Sequence, residues 1–162
     1  MEDRTDREND REPFLDDYLQ FLLATASGLA SYPFHNQVVA AGISVAEWRV
    51  VACLWDSDGQ TITELARLAQ MEQSRLTRVI ERMEKRGYVR RERKADDRRK
   101  VYVWLEPVGL ETARELVAKA KLQEAEFLAA NLTAAEGERL KRLLRKIIGN
   151  ADPDNGGAIR RH

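Results

Sequence analysis

Cysteine is nearly absent from this chain, with Cys53 the single example. One thiol excludes an intramolecular disulfide framework and any multi-cysteine zinc site. Histidine is as scarce: His35 and His162 are the only two, too few to hold a zinc ion unaided. We expect no metal, no cofactor and a reducing, cytoplasmic setting. The acidic start Met1-Glu2-Asp3-Arg4 has neither the basic region nor the apolar run of a signal peptide. Long lipophilic runs are missing too. The longest stretch without a charged residue, 18–46, is interrupted by Gln20, Ser27, Ser31, Pro33, His35, Asn36 and Gln37. What remains is shorter than the roughly 20 apolar residues that a membrane span needs, so no membrane is expected. There is no glycine-rich phosphate loop, no nucleophile beside a histidine and no ligand cluster, so an enzyme is not expected either.

Net charge is also absent, but only on average. The chain of 162 residues, one domain's length, balances 27 basic against 27 acidic side chains. Between Glu72 and Lys100, however, twelve basic residues face six acids, a local excess of +6 on a body of −6. Residues 1–13 alternate acid and base without apolar periodicity and read as a disordered tail. Residues 150–162 stack helix breakers and read as a flexible one.

The rest is periodic. Phe14, Leu15, Tyr18, Leu19, Leu22, Leu23, Ala26 and Leu29 recur at helical spacing, with a break or restart expected at Pro33. Three capping boxes, Ser44-Val-Ala-Glu47, Thr61-Ile-Thr-Glu64 and Thr133-Ala-Ala-Glu136, mark helix starts. The first helix so opened shows Val45, Trp48, Val51, Ala52 and Trp55 on one face. The second directs Ile62, Leu65, Ala66 and Ala69 inward. After a tight turn at 70–72, a helix from about Gln73 to Arg86 directs Leu76, Val79, Ile80 and Met83 inward, and Gly87 stops it. The period then becomes two. Residues 88–93 and 101–105 read as a β-hairpin whose tip, 94–100, is polar and basic. Pro107 opens a helix with Leu110, Ala113, Val117 and Ala120 in its stripe. A last helix carries Leu140, Leu143, Leu144, Ile147 and Ile148 and closes at Gly149.

Two short helices joined by a tight turn and followed at once by a hairpin make a winged helix-turn-helix. The fold class is mainly α with a small β-hairpin wing. The winged unit, 44–106, is inserted between helices at 14–43 and 107–149. Those flanking helices are too apolar to stand exposed, so we expect them to pair with a second copy as a homodimer. At about 100° per residue, the inward positions of the second short helix leave Ser74 and Arg78 pointing directly away, flanked by Arg75 and Thr77, with Gln73 at the start. Forked or short hydrogen-bonding side chains at that end suit base edges of double-stranded DNA, and the basic excess suits its phosphates. Lys94, Arg98 and Arg99 lie at the wing.

Glu64-Leu-Ala66, Ser74-Arg-Leu-Thr-Arg78, 83–91, Asp97-Arg-Arg99, Val103, Leu105 and Gly109 together resemble the MarR family of bacterial transcriptional regulators over about 14–149. The family threonine after that leucine is Glu106 here. The resemblance implies a dimeric repressor on a near-palindromic operator, often released by a small aromatic or phenolic ligand. It also implies that Arg99 enters the minor groove and that Asp97 supports the wing. Tyr32, His35, Trp48 and Arg49 are the candidate effector pocket: rings to pack and a cation to pair with a carboxylate. Two alternatives stand beside this reading. One is a winged helix used as a protein–protein scaffold, which the basic outward face disfavours. The other is redox sensing through Cys53, which its place beside the apolar face of a helix disfavours.

Overall fold

The computed structural model describes residues 13–94 and 97–152, with the side chains of Lys94, Asp97, Arg98 and Arg99 excepted. The tail at 1–12, the hairpin tip at 95–96 and the end at 153–162 lie outside the described residues. The chain divides into two compact units, one ending at Pro33 and the other beginning at Phe34.

A single 3-10 turn, Leu15–Asp17, lies in the first unit and precedes helix α1, Leu19–Ala40, whose residues from Phe34 onward belong to the second. Phe14 stacks on Tyr18 with ring centroids 4.6 Å apart. The helix does not break at Pro33, contrary to expectation. Proline forfeits one i→i−4 hydrogen bond, but buried Phe34 and Val38 directly downstream hold the following turns in a packed cluster. The apolar stripe of this unit is solvent-facing: Phe14, Leu15, Leu19, Leu22, Leu23 and Leu29 are all exposed.

The second unit holds the three-stranded sheet and the remaining helices. Helix α2 is Val45–Asp56, strand β1 Gln60–Thr61, α3 Ile62–Leu68 and α4 Gln73–Lys85. Strands β2, Val89–Lys94, and β3, Asp97–Leu105, form the wing. Helices α5, Pro107–Asn131, and α6, Ala134–Ala151, complete the described chain. The sheet is antiparallel in the order β1-β3-β2. Three details differ from the sequence reading. The strands run further toward the tip than 93 and 101, with a register irregularity at Arg93/Lys94. The two-residue β1 was not foreseen; it is too short to show alternation and exists by pairing Gln60 with Val103 and Thr61 with Tyr102. Helix α6 continues through Gly149 to Ala151, since a glycine costs a helix only about 1 kcal/mol.

The three capping boxes all form, each with both reciprocal hydrogen bonds. The main core joins Val50, Val51 and Leu54 of α2, Leu65 and Ala66 of α3, Leu76, Val79, Ile80 and Met83 of α4, and Val89, Val103 and Ala113. Helix α2 therefore buries the 47-50-51-54 face, and Trp55 is exposed. That is a rotation of about one position from the expected stripe; the half-buried Trp48 packs against the main core and also meets Phe34, edge to face at 5.0 Å. In α5, Ala113 is buried as expected, but the other buried residues of the helix are Gly109 and Leu116, and Leu110 is exposed.

Both turns that frame α4 use the same device. After α3, Gln70 N–H donates to Arg67 O and Met71 N–H to Ala66 O, while Gln70 itself adopts φ +51°. After α4, Gly87 N–H donates to Glu84 O and Tyr88 N–H to Met83 O, with Gly87 at φ +73°. Each is a Schellman closure, which demands a left-handed residue. Glycine meets that demand without strain at 87, and glutamine does not at 70. At Gly109 the constraint is steric: a Cβ would run into the Tyr88 carbonyl. We predict opposite signs for two substitutions in chemical denaturation. Gln70→Gly should stabilise by about 1 kcal/mol. Gly109→Ala should destabilise by about 1–3 kcal/mol. A loss of stability in the first, or none in the second, would contradict this account of the two positions.

Candidate DNA-binding surface

The outward face of α4 follows from its inward one. Leu76, Val79, Ile80 and Met83 are all buried, and Gln73, Ser74, Arg75 and Arg78 are exposed on the opposite side, with Thr77 half-buried. The helix start is capped in a way the sequence reading missed. Glu72 is the N-cap, and its carboxylate accepts from the Ser74 and Arg75 N–H groups, both at 3.0 Å, and from the Ser74 hydroxyl. These hydrogen bonds, the Ser74 hydroxyl first, pull the Glu72 carboxyl below its usual range. Glutamate is an uncommon N-cap, which is why no signal stood out.

Two of the expected contact residues therefore already have partners. The Ser74 hydroxyl donates to Glu72, and the Thr77 hydroxyl donates to Gln73 O at 2.9 Å. Arg75 and Arg78 form no ion pair within 4 Å among the described residues, so both guanidinium forks are available. A cleft of about 420 Å³ brings Gln73 and Thr77 together with Thr61, Ile62, Thr63, Glu64, Lys100 and Val101. It joins the starts of α3 and α4 to β3. Lys94, Asp97, Arg98 and Arg99 lie on β2 and β3, beside the tip; their side chains are outside the description.

Not every basic residue of the segment is free to meet an anion. Arg91 is clamped by Glu84 of α4: its Nε donates at 3.0 Å, a terminal nitrogen at 2.7 Å and its backbone N–H at 3.2 Å. That pairing holds the Glu84 carboxyl below its usual range. Arg90 pairs with Glu92 at 2.6 Å and Glu106 at 3.2 Å and lies over the Trp104 ring. The wing is thus fastened to α4 by one arginine and to the start of α5 by another. A third fastening is the Asp58 carboxylate, which accepts from both Gly59 N–H and Leu105 N–H at 3.0 Å.

The four residues of the candidate effector pocket divide between the two units. Tyr32 is 68% exposed in the first unit. In the second, His35 and Trp48 are half-buried and Arg49 is exposed. A cavity of about 700 Å³ is lined by Val39, Gly42, Ile43, Ser44, Glu47, Arg82, Lys85 and Arg86. Cys53 is partly buried, and its thiol is pushed up to about 11, first by burial and then by Asp56, with Arg49 opposing. Among the described residues no single helix is long and apolar enough to cross a membrane.

A recognition helix presenting free arginines, a preceding helix across a tight turn and a basic wing define a winged helix-turn-helix DNA-binding protein. A MarR family profile matches residues 43–101. Transcriptional regulator HosA of Escherichia coli is 31% identical over 102 residues, 63% of this chain and 75% of the relative. The homoprotocatechuate degradative operon repressor of Escherichia coli is 29% identical over 133 residues, 82% and 88% of the two chains. A crystal structure of a MarR family transcriptional regulator from Silicibacter pomeroyi superposes with a TM-score of 0.77 at 42% identity, covering 87% of this chain and 100% of that one. This chain belongs to the MarR family and is a DNA-binding transcriptional regulator.

Two measurements check the electrostatics. A carboxylate held below its usual range contributes stability above the unfolded pKa and loses it as pH falls through the folded one. The gap in thermal midpoint between wild type and Glu84→Gln should be full at neutral pH and close below the ordinary carboxylate range. A gap independent of pH would contradict the Glu84–Arg91 clamp. For Cys53, a thiol near 11 leaves a thiolate fraction on the order of one in ten thousand at neutral pH. Native protein at pH 8 should react with a disulfide reagent about a hundredfold more slowly than unfolded protein, whose thiol sits near 8.5. Equal rates would revive the redox reading.

Proposed function

We propose that the protein is a ligand-responsive repressor that binds a pseudo-palindromic operator as a homodimer. Each copy lays the start of α4 in the major groove, with Arg78 and Arg75 reading base edges and Gln73, Ser74 and Thr77 beside them. Lys94, Arg98 and Arg99 of the wing meet phosphates and the minor groove, with Asp97 supporting the wing. The observation that carries this reading is the pair Arg75 and Arg78, exposed and without ion pairs within 4 Å among the described residues, on the face of α4 opposite four buried apolar side chains. Arginine's planar fork matches guanine O6 and N7 bidentately.

The dimer reading is supported by apolar surface. Leu140, Leu143 and Ile147 of α6 are 42, 48 and 49% exposed at i, i+3, i+7, and Leu122 of α5 is 62% exposed. Patches of this kind on a folded chain mark an interface. A two-fold pair would set two recognition helices one DNA turn apart, roughly 34–36 Å. A small aromatic or phenolic effector suits Tyr32, His35, Trp48 and Arg49, which offer rings, a ring-nitrogen donor and an exposed cation. The homoprotocatechuate degradative operon repressor, named for an operon that degrades an aromatic compound, is in keeping with that chemistry.

Titration on a selected operator and on scrambled DNA, at two salt concentrations, separates the roles. Arg78→Ala should cost about 1–3 kcal/mol on the operator and relax preference at one position. A phosphate contact should weaken all sequences alike and lower the salt slope by about one. Arg99→Ala should show both behaviours, and Arg67→Ala neither. Unchanged operator affinity in both Arg78→Ala and Arg99→Ala would move the scaffold reading ahead. In sedimentation the wild type should be dimeric at micromolar concentration and Ile147→Asp should dissociate or misfold. A well-folded wild-type monomer would contradict the dimer.

A further inference from the structure

Glu47 is the one buried charged residue among the described residues, 5% exposed, and the proposed DNA contacts do not include it. One carboxylate oxygen accepts Ser44 N–H at 2.7 Å, closing the cap of α2. The other accepts from Arg86 at 3.2 Å. Arg86 is the C-cap of α4, and its second terminal nitrogen donates to Gly42 O at 3.0 Å and to the Tyr88 hydroxyl at 3.2 Å. Its guanidinium lies 4.7 Å from the centroid of the Tyr88 ring. Tyr88 in turn accepts Glu106 N–H at 3.0 Å through its carbonyl, one residue before α5 begins. A single side chain thus ties the C-terminal end of the recognition helix to the turn between α1 and α2, to the cap of α2 and to the entry of α5.

We infer that Arg86, held by Glu47, is a positioning residue for operator recognition: it sets the angle at which α4 presents Gln73 to Arg78. The inference rests on the DNA-reading role proposed for α4. The lever is long. Gln73 lies thirteen residues from Arg86, about 20 Å at 1.5 Å per residue, so a tilt of about 5° at the C-cap moves the reading end by roughly 2 Å. A displacement of that size spoils bidentate base contacts and leaves phosphate attraction nearly intact, because one depends on geometry and the other on charge. Glu47 has its second oxygen fixed by Ser44, so the anchor itself is rigid. The planar fork lets Arg86 serve Glu47, Gly42 and Tyr88 at once; a lysine places its donors around one nitrogen and cannot span three acceptors.

The test uses the full-length protein and a duplex recovered by repeated selection from random-sequence DNA with the wild type, beside a scrambled duplex of the same composition. Arg86→Lys and Glu47→Gln each keep a polar group in place, and the first keeps the charge. Both should lower the ratio of selected to scrambled affinity about tenfold, near the discrimination of one base pair. The salt slope on scrambled DNA should stay that of wild type. Thr133→Ala, which removes the cap of α6, controls for lost stability and should leave the ratio unchanged. A ratio within twofold of wild type in both Arg86→Lys and Glu47→Gln overturns the inference, as does an equal fall in Thr133→Ala. Should the wild type itself fail to prefer any selected duplex, the DNA-reading role of α4 has failed, a result distinguishable from failure of Arg86 to position it.

Discussion

Burial of one face of α4 is the constraint on which the rest depends. Leu76, Val79, Ile80 and Met83 are all within the main core, against α2, α3 and the first residue of β2. Four side chains at i, i+3, i+4, i+7 fix the rotation of a helix about its axis, since any other rotation would return apolar surface to water at about 25 cal/mol per Å². Once that rotation is fixed, so is the direction of Ser74, Arg75 and Arg78. The chemistry of the surface is therefore a consequence of the core and not an independent choice.

The ends of α4 are fixed as firmly as its rotation. Glu72 caps its start; the Schellman closure at Gly87 and the Arg86 contacts hold its end; Glu84 fastens the wing beside it. Part of the basic charge of this segment is consequently structural. Arg86, Arg90 and Arg91 are committed to carboxylates or carbonyls. Charge counting overstates the surface offered to phosphate, and which basic residues stay uncommitted, Arg75 and Arg78 among them, shows only once the partners are known.

The helices that carry capping boxes were legible in the sequence because Ser44, Thr61 and Thr133 each announce a start through local hydrogen bonds. The inward face of α4 was legible because its period is strict. What was missed depends on contacts distant in sequence. The strand β1 exists only through β3; the Arg86–Glu47 pair joins residues 39 apart; and the buried face of α2 is set by its packing on α3, α4 and Phe34. Pro33 was misread for a related reason: a local rule was overridden by packing downstream. Of the site, the α4 residues were accessible to periodicity, whereas the Glu72 cap and the internal partners of Ser74 and Thr77 needed coordinates.

The central claim is that the arginines made available by the packing of α4 are the ones that meet DNA. Footprinting with an arginine-selective dicarbonyl reagent tests it most directly, with modified residues located by mass spectrometry in the presence and absence of the selected duplex. Arg75 and Arg78 should be modified readily in the free protein and shielded in the complex, while Arg142 and Arg145, exposed on α6, stay as reactive as before. Shielding of Arg142 and Arg145 with Arg75 and Arg78 unchanged would contradict the account.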